Sequence, residues 1–134
     1  MIHLSVVCCG RAVPLLWRVL AHGSATVAFQ EYQPLLRKTR WLLRRHPDVM
    51  LLADRGFANH PLMAWLQASR WHYCLRLPSD VLLQGASRYP RMIGSFDPPV
   101  GEARLDHQVR LWAEGVYRCN LVRQPLKEPR NHGQ

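Results

Sequence analysis

One stretch narrows what this chain can fold into more than any other: Val49-Met50-Leu51-Leu52-Ala53-Asp54-Arg55-Gly56-Phe57. An apolar run of strand length ends at a single carboxylate and is followed at once by an Arg-Gly turn signal. A continuous apolar run bounded by turn residues predicts a strand buried on both faces. Such strands belong to sheets covered by helices. Asp54 then falls where a central strand meets a loop, and ligands and catalytic groups gather at the carboxyl ends of strands in α/β sheets. Asp54 is open to two readings: a functional acid, or a side chain that caps the turn or pairs with Arg55.

The flanking sequence supplies the rest of an α/β unit. Residues 1–9 alternate as a strand, with Ile2, Leu4, Val6 and Cys8 on one face. Gly10-Arg11 can turn the chain back into a second strand over 12–20, giving an antiparallel hairpin. Pro14 qualifies that strand, since proline cannot donate to a ladder and belongs at an edge or a strand start. His22-Gly23-Ser24 breaks the run. Helical spacing over about 30–45 puts Tyr32, Leu35, Leu36, Leu42 and Leu43 on one face and Arg37, Lys38, Arg40, Arg44 and Arg45 mostly opposite. Pro34 fits only in the first turn, so the helix should start near Phe29 to Gln33. Asn59-His60-Pro61 is a helix-start signal, and Leu62, Trp65 and Leu66 outline a short amphipathic helix ending near Ser69. From Trp71 to Leu77 the pattern alternates as a half-buried strand. The order strand, strand, helix, strand, helix, strand predicts a mixed α/β sheet with flanking helices.

Beyond Pro78 the character changes. Residues 79–102 are rich in Gly and Pro and read as loops and short strands. Strands over 108–112 and 116–122 are joined by Glu114-Gly115, and the polar tail from Gln124 should fray. The two parts of the chain are therefore expected over 1–78 and 79–134, although 134 residues leave room for one domain of ordinary size.

Charge narrows the partners. Eighteen Lys and Arg against nine Asp and Glu leave +9, and sixteen of the eighteen are Arg. Guanidinium forks match phosphate oxygens bidentately, so a polyanion is the natural partner. The basic helix face of Arg37, Lys38, Arg44 and Arg45 can lie along a phosphate backbone or can be simply a solvated face. Cys8, Cys9, Cys74 and Cys119 show no CxxC spacing of the kind structural zinc usually draws on. Neighbouring Cys8 and Cys9 would point to opposite faces of a strand, which suggests buried or idle thiols in a reducing, cytoplasmic setting. The seven histidines are scattered, and the five tryptophans read mostly as core, with one or two open to stacking on an exposed base. No stretch approaches the roughly 18 apolar residues of a membrane span, so no membrane partner is expected.

Gly10-Arg11-Ala12-Val13-Pro14-Leu15-Leu16-Trp17, then Ala53-Asp54-Arg55-Gly56-Phe57, then Leu62-Met63-Ala64-Trp65-Leu66 leading to Trp71-His72-Tyr73-Cys74-Leu75-Arg76, resemble the DDE transposases of bacterial insertion sequences. The type-4 insertion-sequence group, with its ribonuclease-H-like catalytic core, looks closest. The likeness is good over residues 1–77 and loose from Ser79 onward, where it implies the start of a β-rich insertion. It implies two divalent ions, magnesium or manganese, held by three carboxylates for phosphodiester cleavage and strand transfer on double-stranded DNA. Asp54 matches the second of those carboxylates. Arg55 is open to two roles, contact with DNA phosphate beside it or pairing with Asp54 or another acid. The first would lie on a strand before the hairpin, and no Asp precedes position 48. The third, a Glu, would lie on a later helix, and Glu102, Glu114 and Glu128 lack helical context. The resemblance therefore implies a partial ribonuclease-H-like core, an internal fragment inactive alone. It would bind the metal weakly and associate with itself or with a full-length transposase. The alternative is a noncatalytic basic DNA-binding fragment that interferes with the full-length enzyme.

Overall fold

In the computed structural model, residues 1–21, 27–84, 89–96, 98–112 and 117–124 are described. The chain opens on an antiparallel hairpin of β1 (Ile2–Cys8) and β2 (Arg11–Arg18). The turn falls at Cys9-Gly10, one residue earlier than expected, with φ of 49° and 75°. Positive φ at both central residues is the mirror-image turn whose twist suits a two-residue hairpin. Pro14 lies within β2 opposite Ser5, where the register shifts between Leu4 and Ser5. A bulge is one of the few places a sheet tolerates the missing N–H. Only the root of the hairpin is covered: Ile2 is buried and Leu4 and Leu16 pack on the core, whereas Val7, Val13 and Trp17 are exposed.

Helix α1 (Phe29–Leu42) starts where expected, but Pro34 sits inside it and not in its first turn. Arg18 donates to the Glu31 carbonyl at 3.0 Å, in the turn that the proline disrupts. Phe29, Tyr32, Leu35 and Leu36 are buried, and buried Thr39 donates its hydroxyl to the Leu35 carbonyl at 2.9 Å. Leu42, placed with the apolar face by spacing, is exposed at the helix end. Residues 22–24, expected to break the chain before α1, lie outside the described residues.

Strand β3 (Met50–Ala53) runs parallel to β4 (His72–Leu75), with α2 (His60–Ala68) as the crossover between them. Asn59 caps α2 as its sequence signal predicts, its side-chain oxygen accepting from the Leu62 N–H at 2.9 Å. The expectation that β3 is buried on both faces is overturned. Met50 and Leu52 are 60% and 61% exposed, while Leu51 and Ala53 are half-buried. The reason is that α1 and α2 supply the buried core on one face alone, and β3 pairs with β4 on one edge only. An unbroken apolar run does not report which of its two faces finds a cover.

The structure divides into two compact units, Met1–Leu77 and Pro78–Gln134, where length argues for one domain. The second contains a four-stranded sheet ordered β6-β5-β7-β8, built from β5 (Leu82–Gln84), β6 (Arg91–Met92), β7 (Arg104–Leu111) and β8 (Tyr117–Arg123). Its core includes Val81, Ile93, Leu111, Tyr117 and Leu121. Strand β7 begins four residues before the expected 108, because a bulge between Asp106 and Val109, with Gln108 at φ 53°, lets the pairing resume. Arg123, only 8% exposed, donates from Nε to Asp106 at 2.7 Å and also contacts it through its terminal nitrogen. Glu114, Gly115 and the tail from 125 lie outside the described residues.

Each unit yields a stability prediction. Asp106→Asn, which strips the charge from the partner of the more buried group, should cost about 2 kcal/mol. Arg123→Met should cost less, because Asp106 retains some access to water. Urea melts of the two variants check that order. In the first unit, burial raises the Tyr32 hydroxyl above its ordinary value, an effect partly offset by its hydrogen bond with Asn59. The folded chain therefore holds this proton to higher pH than the unfolded chain. Its contribution is intact below about pH 10 and is lost as pH climbs through the raised value. Stability followed against pH should fall on the alkaline side, and the fall should be shallower in Tyr32→Phe.

Candidate functional site

Asp54 stands at the carboxyl end of β3 as the N-cap of a single 3-10 turn, Arg55–Phe57. Its Oδ1 accepts from the Arg55 backbone N–H at 2.8 Å. The capping reading is thus correct in part, but the charged partner is Arg76 and not the Arg55 side chain, with Nη1 3.5 Å from Oδ1. The parallel register explains this. Ala53 pairs with Leu75, and Arg76 donates its backbone N–H to the Ala53 carbonyl at 3.1 Å, so the next residues of the two strands emerge side by side. Both side chains are well exposed, 64% for Asp54 and 72% for Arg76. An ion pair in that setting contributes about 0–1 kcal/mol. Asp54 is therefore held chiefly by the Arg55 backbone N–H, with its side chain exposed. Arg76 carried no functional reading in the sequence; only the register brings it here.

The turn behind Asp54 is pinned from below. The Phe57 ring meets the Tyr32 ring edge-on at 5.3 Å, and Tyr32 meets Phe29 likewise at 5.5 Å. The Tyr32 hydroxyl donates to the Phe57 carbonyl at 3.4 Å and accepts from the Asn59 amide at 3.0 Å. Val27 donates to the Gly56 carbonyl at 3.4 Å.

Beside the turn lies a cleft of about 360 Å³. Residues 1–4 of the hairpin and residues 51–54 of β3 line it, with Tyr32, Leu35 and Leu36 of α1, Phe57 and Leu62 completing the set. Asp54 is the single carboxylate among them. The hairpin and the β3–β4 pair are separate two-stranded sheets, so the cleft falls between two strands that have neighbours on one edge alone.

Of the other described acids in the first unit, Glu31 is exposed on α1 and Asp48 is exposed before β3. In the second unit Asp80 and Glu102 are exposed and Asp106 is tied to Arg123, and Asp97, Glu114 and Glu128 lie outside the described residues. Among the described residues there is no group of three or more His, Cys, Asp or Glu able to hold a metal ion. A hard divalent cation takes several oxygen ligands. One carboxylate with a guanidinium beside it does not fit that requirement.

The basic residues are presented as the spacing suggests. Arg37, Lys38 and Arg40 on α1, and Arg44 and Arg45 just past its end, are all exposed, and so is Arg55. Trp41 is 63% exposed among them. The Arg44 guanidinium lies 4.4 Å over its ring and donates to its carbonyl at 2.9 Å. Trp17 is likewise exposed, whereas Trp65 and Trp71 pack edge-on at 5.4 Å against the core. Of the two alternatives for the thiols, burial is excluded for three: Cys8, Cys9 and Cys74 are exposed, and Cys119 is half-buried. No described helix is long and apolar enough to cross a membrane.

A family model described as the transposase DDE domain matches residues 1–118. No curated protein and no solved structure matches the chain. The family match takes in the hairpin, the Asp54 turn and α1 with its basic face, and it extends across most of the second unit. The chain belongs to the transposase DDE domain family.

Proposed function

We propose that this chain carries part of the ribonuclease-H-like catalytic core of an insertion-sequence transposase of the type-4 group, with residues 79–134 as the start of a β-rich insertion. Asp54 is its surviving catalytic and metal-ligating carboxylate. The observation that carries this reading is the placement of Asp54. It is an accessible acid at the carboxyl end of a parallel strand, on a cleft between two sheets that each lack a neighbour on the cleft side. A strand entering that cleft would join the two sheets into one and could bring a second acid beside the first. Without further carboxylates Asp54 cannot hold magnesium or manganese against bulk water, and the chain alone does not cut DNA.

Double-stranded DNA remains a partner of the chain independently of Asp54. The net charge of +9 and the exposed cations of α1 support this, since phosphate contacts supply most nonspecific affinity. In this reading Arg37, Lys38, Arg44 and Arg45 lie along the phosphate backbone, and Arg55 meets a phosphate next to Asp54. A chain that binds DNA without cutting it would occupy the ends of an element, or associate with a full-length transposase, and so interfere with transposition.

Two measurements test the proposal. Duplex binding should weaken steeply with salt, and replacing Arg37, Lys38, Arg44 and Arg45 with Gln should flatten the log–log slope by about 0.9 for each phosphate no longer neutralised. Asp54→Asn should leave binding unchanged. In a cleavage assay with magnesium or manganese the chain alone should give no products. Robust cutting abolished by Asp54→Asn would overturn the incomplete-site reading while sparing the DNA-binding one.

A further inference from the structure

The hairpin tip carries two adjacent cysteines. Neighbouring residues of a strand point to opposite faces, so Cys8 and Cys9 should be kept apart. Cys9 is not in the strand. It is the first central residue of the turn, at φ 49°, and that left-handed backbone swings its side chain round to the side of Cys8. The two sulfurs lie 3.9 Å apart, and both thiols are free and exposed.

That separation selects among the things two thiols can do. Consecutive Cα atoms across a trans peptide are about 3.8 Å apart, whereas disulfides usually span about 4.4–6.8 Å between Cα atoms. A bond between Cys8 and Cys9 would therefore be strained and easily reduced. A bridging cation needs no such approach. Two bonds of about 2.3 Å to one tetrahedral ion hold their sulfurs about 3.8 Å apart, close to the 3.9 Å already present.

We propose that Cys8 and Cys9 form a bidentate thiolate site for a thiophilic cation of the zinc and cadmium type, with solvent completing the coordination. Thiolate is the binding form and soft ligands select such ions. The balance is two thiols plus one divalent cation giving the dithiolate chelate and two protons, with no change in oxidation state. The turn needs no rearrangement to accept it, since the positive φ values that bring the sulfurs together are those of the hairpin turn itself. Cys74 lies on β4 and Cys119 on β8, so neither belongs to this pair.

Cadmium titrated into the reduced full chain should raise a thiolate-to-cadmium ultraviolet band that saturates at one equivalent, with release of about two protons per ion. Cys8→Ser and Cys9→Ser should each lose the band, and Cys74→Ser and Cys119→Ser should keep it. Because both cysteines are exposed, the serine variants leave the core alone. As a check needing no variant, zinc should shield Cys8 and Cys9, and not Cys74, from alkylation read by peptide mass. A band that survives Cys8→Ser or Cys9→Ser, a band that requires Cys74 or Cys119, or no zinc shielding at the hairpin tip would overturn the site.

Discussion

The Tyr32 hydroxyl is the point on which the first unit turns. It joins α1, through its own residue, to the turn behind Asp54, through the Phe57 carbonyl, and to the cap of α2, through the Asn59 amide. A hydroxyl that donates once and accepts once satisfies three elements without leaving a buried polar atom unpaired. The stacked edges of Phe29, Tyr32 and Phe57 supply apolar contact around it. Asn59 spends its oxygen on the helix start and its nitrogen on the tyrosine, so the cap of α2 and the seat of the Asp54 turn are a single arrangement. The position of the carboxylate is a consequence of packing beneath it.

What stands above that seat is less complete. Each of the two small sheets has a strand facing the cleft with no ladder on that side. Free strand edges invite pairing with another strand, and β3 adds to the exposure by presenting Met50 and Leu52 outward. On the cleft with that unpaired edge, Asp54 is the one carboxylate among the lining residues. For a transposase DDE domain this separates two properties. Cations are distributed over an exposed helix face, whereas two-metal chemistry depends on several carboxylates meeting at one point.

Local signals in the sequence are legible wherever the cause is local. The Gly10 turn, the Asn59 cap, the alternation in β4 and the basic face of α1 each follow from a few neighbouring residues, and each is found, the turn one residue early. The failures share one cause, which is that burial depends on neighbours the sequence does not name. The apolar run of β3 suggests two covered faces and finds one. Composition leaves open which tryptophans are core, and Trp41 lies beneath Arg44 at the surface. A rule about helix interiors holds Pro34 to the first turn, and the helix accommodates it farther in. Alternation makes Cys9 a strand residue, and a shift of the turn by one position reverses where its thiol points. Asp54 itself reads as either a cap or a functional acid, and its two oxygens allow both.

Strand β3 presents an unpaired backbone edge to the cleft, with Asp54 at its end, and the reading of the site depends on that edge. The carbonyls of Val49 and Ala53 accept from His72 and Arg76, so residues 49, 51 and 53 face β4. The alternate residues, Met50 and Leu52, then turn their N–H groups the other way. Residue-resolved amide hydrogen exchange on the intact chain reads this directly. Fast exchange is predicted at Met50 and Leu52, with Leu51 and Ala53 protected. Protection of Leu52 equal to that of Ala53 would mean that the edge is already paired, and would contradict the open cleft.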